Sequence, residues 1–377
     1  MNIAIPKENS KAEIRVPMLP SVVEKLVKKG AQITIEAGLG ATLGISDAEY
    51  TKAGASVEKN RKKLLASGDI VLRLRKPLEK EIASLKKGSI HISYLDPFND
   101  PKLIGVLVKQ KISAISMEMI PRSTRAQKMD ALSSQASLAG YCAVIIAADS
   151  IKKIFPMMMT PAGTIQPAKV FIIGAGVAGL QAIATAKRLG AKVDAFDTRP
   201  IAKNDVLSLG AKFVEVDLGE TGQTAQGYAK ALTEEQLKKQ RDVMKQYCAA
   251  ADVVITTAQV FGRKAPIIVT KEMIDAMKPG SVVVDLAIET GGNVEGAVFD
   301  KVVEKKGVKI IGMANMPARV ALNASLMYSN NLFNLLDEFW NKETKQFDLN
   351  LDDDIIKGCL ITHGGAIVHP TFVSKKK

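Results

Sequence analysis

Lys169-Val-Phe-Ile-Ile-Gly-Ala-Gly-Val-Ala-Gly-Leu-Gln-Ala-Ile-Ala-Thr-Ala-Lys-Arg-Leu-Gly-Ala-Lys-Val-Asp-Ala-Phe-Asp197 decides the fold. An apolar strand from Val170 to Ile173 runs into a Gly-x-Gly-x-x-Gly turn, then an apolar-faced helix, then a second strand that ends in an acid. Gly174 permits the tight turn, Gly176 lets backbone approach a pyrophosphate, and Gly179 lets the helix pack closely on the strand. A helix that starts here offers free N–H groups and a partial positive charge to phosphates. Asp197, about 18 residues beyond Gly179, stands where a carboxylate accepts both hydroxyls of a ribose. With strand, helix and acid in register, the stretch reads as an NAD-type dinucleotide site.

Outward from it, the pattern repeats without glycines. Ile3–Ile5, Gln32–Glu36, Ile70–Leu74, Ile90–Tyr94 and Ala114–Glu118 read as short buried strands, with an amphipathic helix over Val22–Lys29 ended by Gly30. After the fingerprint come strands at Lys192–Phe196, Phe213–Val216, Val253–Thr256, Val282–Leu286 and Lys309–Gly312. Two long helical stretches, Ser133–Phe155 and Arg319–Trp340, flank this second half; the first is apolar on several faces and therefore buried. The tail from Cys359 to Pro370 is too apolar to stay in water, so it should return to the first half. The expected fold class is α/β, with two Rossmann-like doubly wound domains joined by two long helices. The expected division is residues 1–132 plus 330–377 for a discontinuous first domain, with an NAD-binding domain at 133–329 inserted into it.

The chain has 377 residues, 47% hydrophobic and 24% charged, which suits two globular domains. No run of about 18 uninterrupted apolar residues is present, so no membrane-spanning segment is expected. Cys142, Cys248 and Cys359 lack metal-ligand spacing and read as core residues of a reducing compartment. No metal is expected. The net charge of +13 comes from scattered lysines, and aromatic residues make up 5%, which leaves no stacking platform for nucleic acid. An anionic membrane face or an acidic partner remains compatible with that charge.

Histidines are scarce: His91 precedes a strand, and His363 and His369 sit in the apolar tail, so each reads as structural. Gly219–Gln226 reads as a loop leading into a polar helix. The polar segment Pro121–Ser133 follows the strand ending at Glu118, at the carboxyl edge where open α/β sheets bind ligands. There Arg122 and Asp130 could pair, and Gln127 offers a donor and an acceptor to a carboxamide. A solvated loop with Ser133 capping the next helix is the equal alternative.

Arg122-Ser-Thr-Arg-Ala-Gln-Lys-Met-Asp-Ala-Leu-Ser-Ser-Gln-Ala-Ser-Leu-Ala-Gly-Tyr141 resembles the signature loop of the NAD(H)-binding component of the proton-translocating nicotinamide nucleotide transhydrogenases. Phe155–Thr164, Gly174–Gly190, Pro279–Asn293 and Gly364–Pro370 are similar to the same family, so the resemblance runs from end to end. It implies direct, Re/Si-specific hydride transfer between NAD(H) on this chain and NADP(H) on a partner subunit, coupled by the partner to proton movement across a membrane.

It also implies roles. Arg122, Gln127, Asp130 and Ser133 would orient the dihydronicotinamide. Gly174, Ala175, Gly176, Val177, Ala178 and Gly179 would hold the pyrophosphate, and Asp197, Thr198 and Arg199 the adenosine ribose. Gly227 and Tyr228 would fold over NAD(H), and Thr257, Ala258 and Gln259 would line the adenosine. A homodimer and membrane-spanning partner subunits are implied as well. Because the chain stops at Lys377 without membrane helices, it is expected to sit in the cytoplasm, peripheral on the inner membrane. Alanine dehydrogenase, the rival within the same superfamily, works with an arginine, a lysine, a histidine and an aspartate. Their positions here hold Arg15, Arg75, Asp96 and, near the last, Glu289. A non-catalytic NAD-binding redox sensor is the third reading.

Overall fold

In a computed structural model of the chain, residues 1–217, 219 and 233–373 are described. The chain divides into two compact units, Met1–Gln135 with Val320–Lys377, and Ala136–Arg319. It passes from the first unit to the second inside the helix Ala131–Ser150 and returns just before the helix Ala321–Glu338. The boundaries expected at 133 and 330 thus move to 136 and 320. A cut at 330 would split a helix whose Ala324, Tyr328, Leu332 and Leu335 are all buried.

Among the described residues the first unit holds an eight-stranded sheet. Asn2–Ile5 lies at its centre, between Gln32–Glu36 on one side and Ile70–Leu72 on the other, all parallel. Ser56–Glu58 closes one edge, while Ile90–Ser93 and Ser113–Ser116 extend the other. The apolar tail does return here: Leu360–His363 pairs antiparallel with Ser113–Ser116, and Ala366–Ile367 pairs with it in turn. Counted along the chain, the parallel strands read 3-2-1-4-5-6. Helix Pro20–Lys28 starts on a proline and buries Val22, Val23 and Leu26, a face spaced three to four residues apart.

The second unit repeats that order. Its seven-stranded sheet places Lys169–Ile173 between Lys192–Phe196 and Val253–Thr256, then continues through Val282–Asp285 to Val308–Gly312. An antiparallel edge strand, Lys301–Lys305, is not legible in the sequence. The central strands are β-branched and buried on both faces, as crossover helices require of a parallel sheet. Phe171, Ile173, Val254, Val283 and Ile310 form one cluster with Met244, Cys248 and Met273. Each such side chain contributes roughly 1.5–3 kcal/mol on burial.

By length and composition, one described helix, Ala131–Ser150, is apolar enough to cross a membrane. Its contacts are those of a core helix. In the first unit Gln135 is buried against Arg15 and the Ala324 carbonyl. In the second, a Cβ added to Gly140 would stand 2.1 Å from the Ala178 carbonyl oxygen. The glycine lets this helix lie directly on the first turn of the fingerprint helix Val177–Arg188.

Candidate functional site

The second unit's strand order reverses between Lys169–Ile173 and Val253–Thr256, and the glycine turn lies at the carboxyl ends of those two strands. Gly174 has φ +98°, in the left-handed region that favours glycine. A Cβ on Gly179 would fall 1.9 Å from the Gly174 carbonyl oxygen, so that glycine seats the helix on the turn. Gly176 differs. Its backbone is extended, and the nearest atom to an added Cβ is Arg199 Nη2 at 4.0 Å. Nothing inside the protein needs a glycine at this position, so the bare backbone faces outward. Gly176 also starts the helix Val177–Arg188 without a side-chain cap, leaving its first N–H groups to an external anion. These features fit a dinucleotide pyrophosphate.

Asp197 directly follows the adjacent strand Lys192–Phe196. Its Oδ2 accepts the Ala175 N–H at 2.8 Å, and its two oxygens accept the backbone N–H, Nε and Nη2 of Arg199 at 2.8–2.9 Å. The hydrogen bond to Asp197 raises the Arg199 pKa above its ordinary value. Thr198 lies between them, half-buried.

Thr257, Ala258 and Gln259 follow the strand Val253–Thr256. The Thr257 hydroxyl donates to the Gly174 carbonyl at 3.0 Å, and Gln259 Nε2 donates to the Leu286 carbonyl at 3.2 Å. Behind them is a network the sequence does not announce. The buried Asp285 carboxylate accepts the N–H groups of Ala287, Asn293 and Val294 and the Thr256 hydroxyl. Burial raises its pKa, against the lowering by those N–H groups. Gly227, Tyr228 and the stretch 220–226 lie outside the described residues.

The remaining predicted residues belong to the first unit. Asp130 caps the helix Ala131–Ser150, taking the Ser133 N–H at 2.9 Å and the Ser133 hydroxyl at 2.6 Å. Ser133 is therefore the donor inside the first turn and not the cap, because Asp130 already supplies the acceptor. Arg122 Nε stands 4.0 Å from Asp130 Oδ2, so the expected pair forms, loosely. Gln127 opens the short turn Gln127–Met129 and is exposed, with no side-chain hydrogen bond.

At the positions that the resemblance assigns to the alanine dehydrogenase substrate residues, Arg15 is chelated by Glu13 through Nε and Nη2 and donates to Gln135, while Arg75 Nε donates to Glu13. Asp96 accepts from Asn99. No imidazole or lysine occupies those places. His91 lies within the strand Ile90–Ser93 and does not precede it. Burial first, and then the nearby Arg73, push its pKa down to about 3. His363 meets Ser113, and His369 the Gly358 carbonyl. The cysteines are buried and free. Among the described residues no group of three or more His, Cys, Asp or Glu side chains gathers to hold a metal ion.

Two family descriptions match the chain: "Alanine dehydrogenase/PNT, N-terminal domain" over residues 4–139 and "Alanine dehydrogenase/PNT, C-terminal domain" over residues 143–370. The chain belongs to the alanine dehydrogenase/PNT family. Within that family it is more similar to transhydrogenases than to alanine dehydrogenases. It is 45% identical to the first of the chains that make up NAD(P) transhydrogenase subunit alpha in Rhodospirillum rubrum, covering 100% of both chains. A crystal structure of the transhydrogenase from Sinorhizobium meliloti matches 99% of this chain and 100% of its own, at 43% identity and a TM-score of 0.86. The alanine dehydrogenase of Methanococcus maripaludis is 29% identical over 92% of this chain and 89% of its own.

Proposed function

We propose that the chain is the NAD(H)-binding component of a proton-translocating transhydrogenase, exchanging a hydride with NADP(H) carried by a partner subunit. The observation that carries this reading is the outward-facing Gly176 backbone at the start of an uncapped helix, with Asp197 beside it. Similarity to transhydrogenase chains over the full length supports it.

When bound, NADH supplies a hydride. The chain's residues have three tasks: to bind, to orient and to exclude water. The N–H groups at the start of Val177–Arg188 take the pyrophosphate, with Ala178 and Val177 in the first turn. Asp197, flanked by Thr198 and Arg199, accepts the adenosine ribose hydroxyls, and its charge opposes a 2′-phosphate, which favours NAD over NADP. Thr257, Ala258 and Gln259 line the adenosine. Arg122, Gln127, Asp130 and Ser133 orient the dihydronicotinamide; Gln127 has both a donor and an acceptor uncommitted for its carboxamide.

Hydride transfer between two nicotinamides moves no proton at the reacting carbons, so it demands position and not an acid or a base. The structurally engaged histidines, His91 and His369 buried and His363 half-buried, agree with that demand. The partners are NADP(H)-binding and membrane-spanning subunits, which carry the proton movement. The chain is placed on the cytoplasmic face of the membrane through them, as a homodimer.

Mixing the chain with a purified NADP(H)-binding transhydrogenase component should let NADPH reduce an NAD analogue. Absence of transfer, with NADH-dependent reduction of pyruvate and ammonia instead, would replace this reading by alanine dehydrogenase. NAD binding with neither activity would leave a sensor. In the same mixture Gln127→Asn should slow transfer by roughly tenfold or more, since a displacement of about 1 Å suffices for that. NADH affinity should fall only slightly; equal losses of affinity and rate would remove Gln127 from an orienting role.

A further inference from the structure

We propose that Asn293 is a positioning residue for NAD(H), holding the backbone of Ala258 and, through Thr257, the first glycine of the cofactor turn. The inference rests on the reading of the second unit as an NAD(H) site and concerns a residue that does not itself reach the cofactor. Asn293 is completely buried, and its amide is used on both sides. Oδ1 accepts the Ala258 N–H at 3.0 Å, while Nδ2 donates to the Ala258 carbonyl and to the Pro266 carbonyl, each at 2.8 Å. A side-chain amide that bonds both the N–H and the C=O of one residue imitates a strand neighbour. It fixes that residue's peptide planes where the regular strand Val253–Thr256 has already ended.

The amide is itself aimed by the fold. Asp285 Oδ2 draws in the Asn293 N–H at 2.8 Å, and the Asn293 carbonyl accepts from Ile268 and Val269. Gly291 and Gly292, at φ +108° and +83°, let the chain turn into that position. At the other end, Thr257 N–H donates to the Ile173 carbonyl and its hydroxyl to Gly174. The Gly174 carbonyl is in turn the atom against which Gly179 seats the helix. A continuous path therefore runs from Asn293 through Ala258 and Thr257 to the glycine turn. Loosening Ala258 loosens the surface that lines the cofactor and the turn below it, without touching the residues that orient the nicotinamide.

The test is a direct NADH titration of the whole chain, wild type, Asn293→Ala and Asn293→Asp, well below each variant's melting temperature. The aspartate has the shape of asparagine and keeps an acceptor for the Ala258 N–H, but loses both donor bonds, so it serves where the alanine variant does not fold. Both variants should bind NADH about tenfold more weakly, the scale of a lost buried hydrogen-bond pair. Amide exchange at Ala258 should quicken in the folded Asn293→Ala variant. With the NADP(H)-binding component added, KM for NADH should rise while turnover at saturating NADH stays within about twofold. Adding Thr257→Val to Asn293→Ala should cost less than the two single losses combined, because both act through one path. A folded variant with wild-type affinity, even one with a lowered melting temperature, makes Asn293 a structural residue alone and overturns the proposal. If the wild-type chain binds no NADH, the functional reading itself has failed.

Discussion

The two units share one strand order but end their first strands differently, and that difference decides where a dinucleotide can go. In both, the acid at the end of the second strand accepts an N–H from the turn after the first strand. Glu36 takes that of Lys7 and Asp197 that of Ala175, each at 2.8 Å. One residue further on, the first unit has Glu8 where the second has Gly176. Glu8 sends its carboxylate across the crevice to the N–H groups of Leu74 and Arg75, at 2.7 and 3.3 Å, and is buried beside Arg73. The chain then needs until Pro20 to start a helix, whereas Val177 starts one at once. A side chain thus crosses the first unit's crevice, and no helix starts directly after its first strand. Topology alone makes a crevice; on the proposed function, the third residue after the strand and an immediate helix make it a phosphate site.

Gly176→Glu transplants the filled state into the second unit and carries the largest expected effect. The added Cβ meets nothing closer than 4.0 Å, and the backbone there suits any residue, so the fold should survive with little change in melting temperature. A carboxylate facing the pyrophosphate should weaken NADH by roughly 100-fold or more, the scale of a desolvated like-charge contact. Near-native affinity in calorimetry would show that phosphates do not use this helix terminus. Asp197→Ala comes next. It should cost roughly 1–3 kcal/mol of NADH affinity by leaving ribose hydroxyls without a charged partner. An unchanged dissociation constant would place the ribose elsewhere, and the acid would then serve the Ala175 turn and Arg199 alone, as Glu36 serves the Lys7 turn and Arg61.

The open crevice is legible in the sequence because all of its components are local. Gly174, Gly176, Gly179 and Asp197 fall within one strand–helix–strand unit, where periodicity and glycine spacing speak directly. The filled crevice is not, because Glu8 meets Leu74, 66 residues away, and nothing in Pro6-Lys7-Glu8 announces it. For the same reason Asn293 escapes a reading of the sequence, since its partner Ala258 is 35 residues back. His91 misleads by its polarity: it reads as preceding a strand, yet it lies inside Ile90–Ser93, every residue of which is buried. The edge strands Ser56–Glu58 and Lys301–Lys305 are hidden because partial exposure erases their pattern. The long helix Ala131–Ser150 is recognisable from its all-round apolarity. Its cap is not, because Asp130 and Ser133 are both good caps and only the structure shows which one accepts.

The smallest effect concerns what the ion network around the filled crevice does for the first unit. Glu81 joins Arg61 at 2.6 Å and Arg73 at 2.8 Å, and Arg61 continues to Glu36. Burial alone would raise the Glu81 pKa, but hydrogen bonds from Arg73 and Arg61 outweigh it and hold the carboxyl down to about 2. A carboxyl whose pKa is lower folded than unfolded adds stability above its unfolded value of 4.5, and that stability is lost as pH falls towards about 2. Glu81→Gln removes the charge, as protonation does, and keeps one carbonyl oxygen, which can accept from Arg61 or from Arg73 but not from both, since these donate to Oε1 and Oε2. The variant should be less stable by about 1 kcal/mol at neutral pH, near the upper end for a partly exposed pair. In urea titrations that gap should narrow from about pH 4.5 downwards and close near pH 2. Glu8, raised by burial despite Arg73, favours folding in the opposite sense, so the gap between the two proteins is the quantity to follow, not either midpoint. A gap that stays constant down to about pH 2 would mean that the Glu81 charge contributes nothing, and that the network is held by packing and neutral hydrogen bonds.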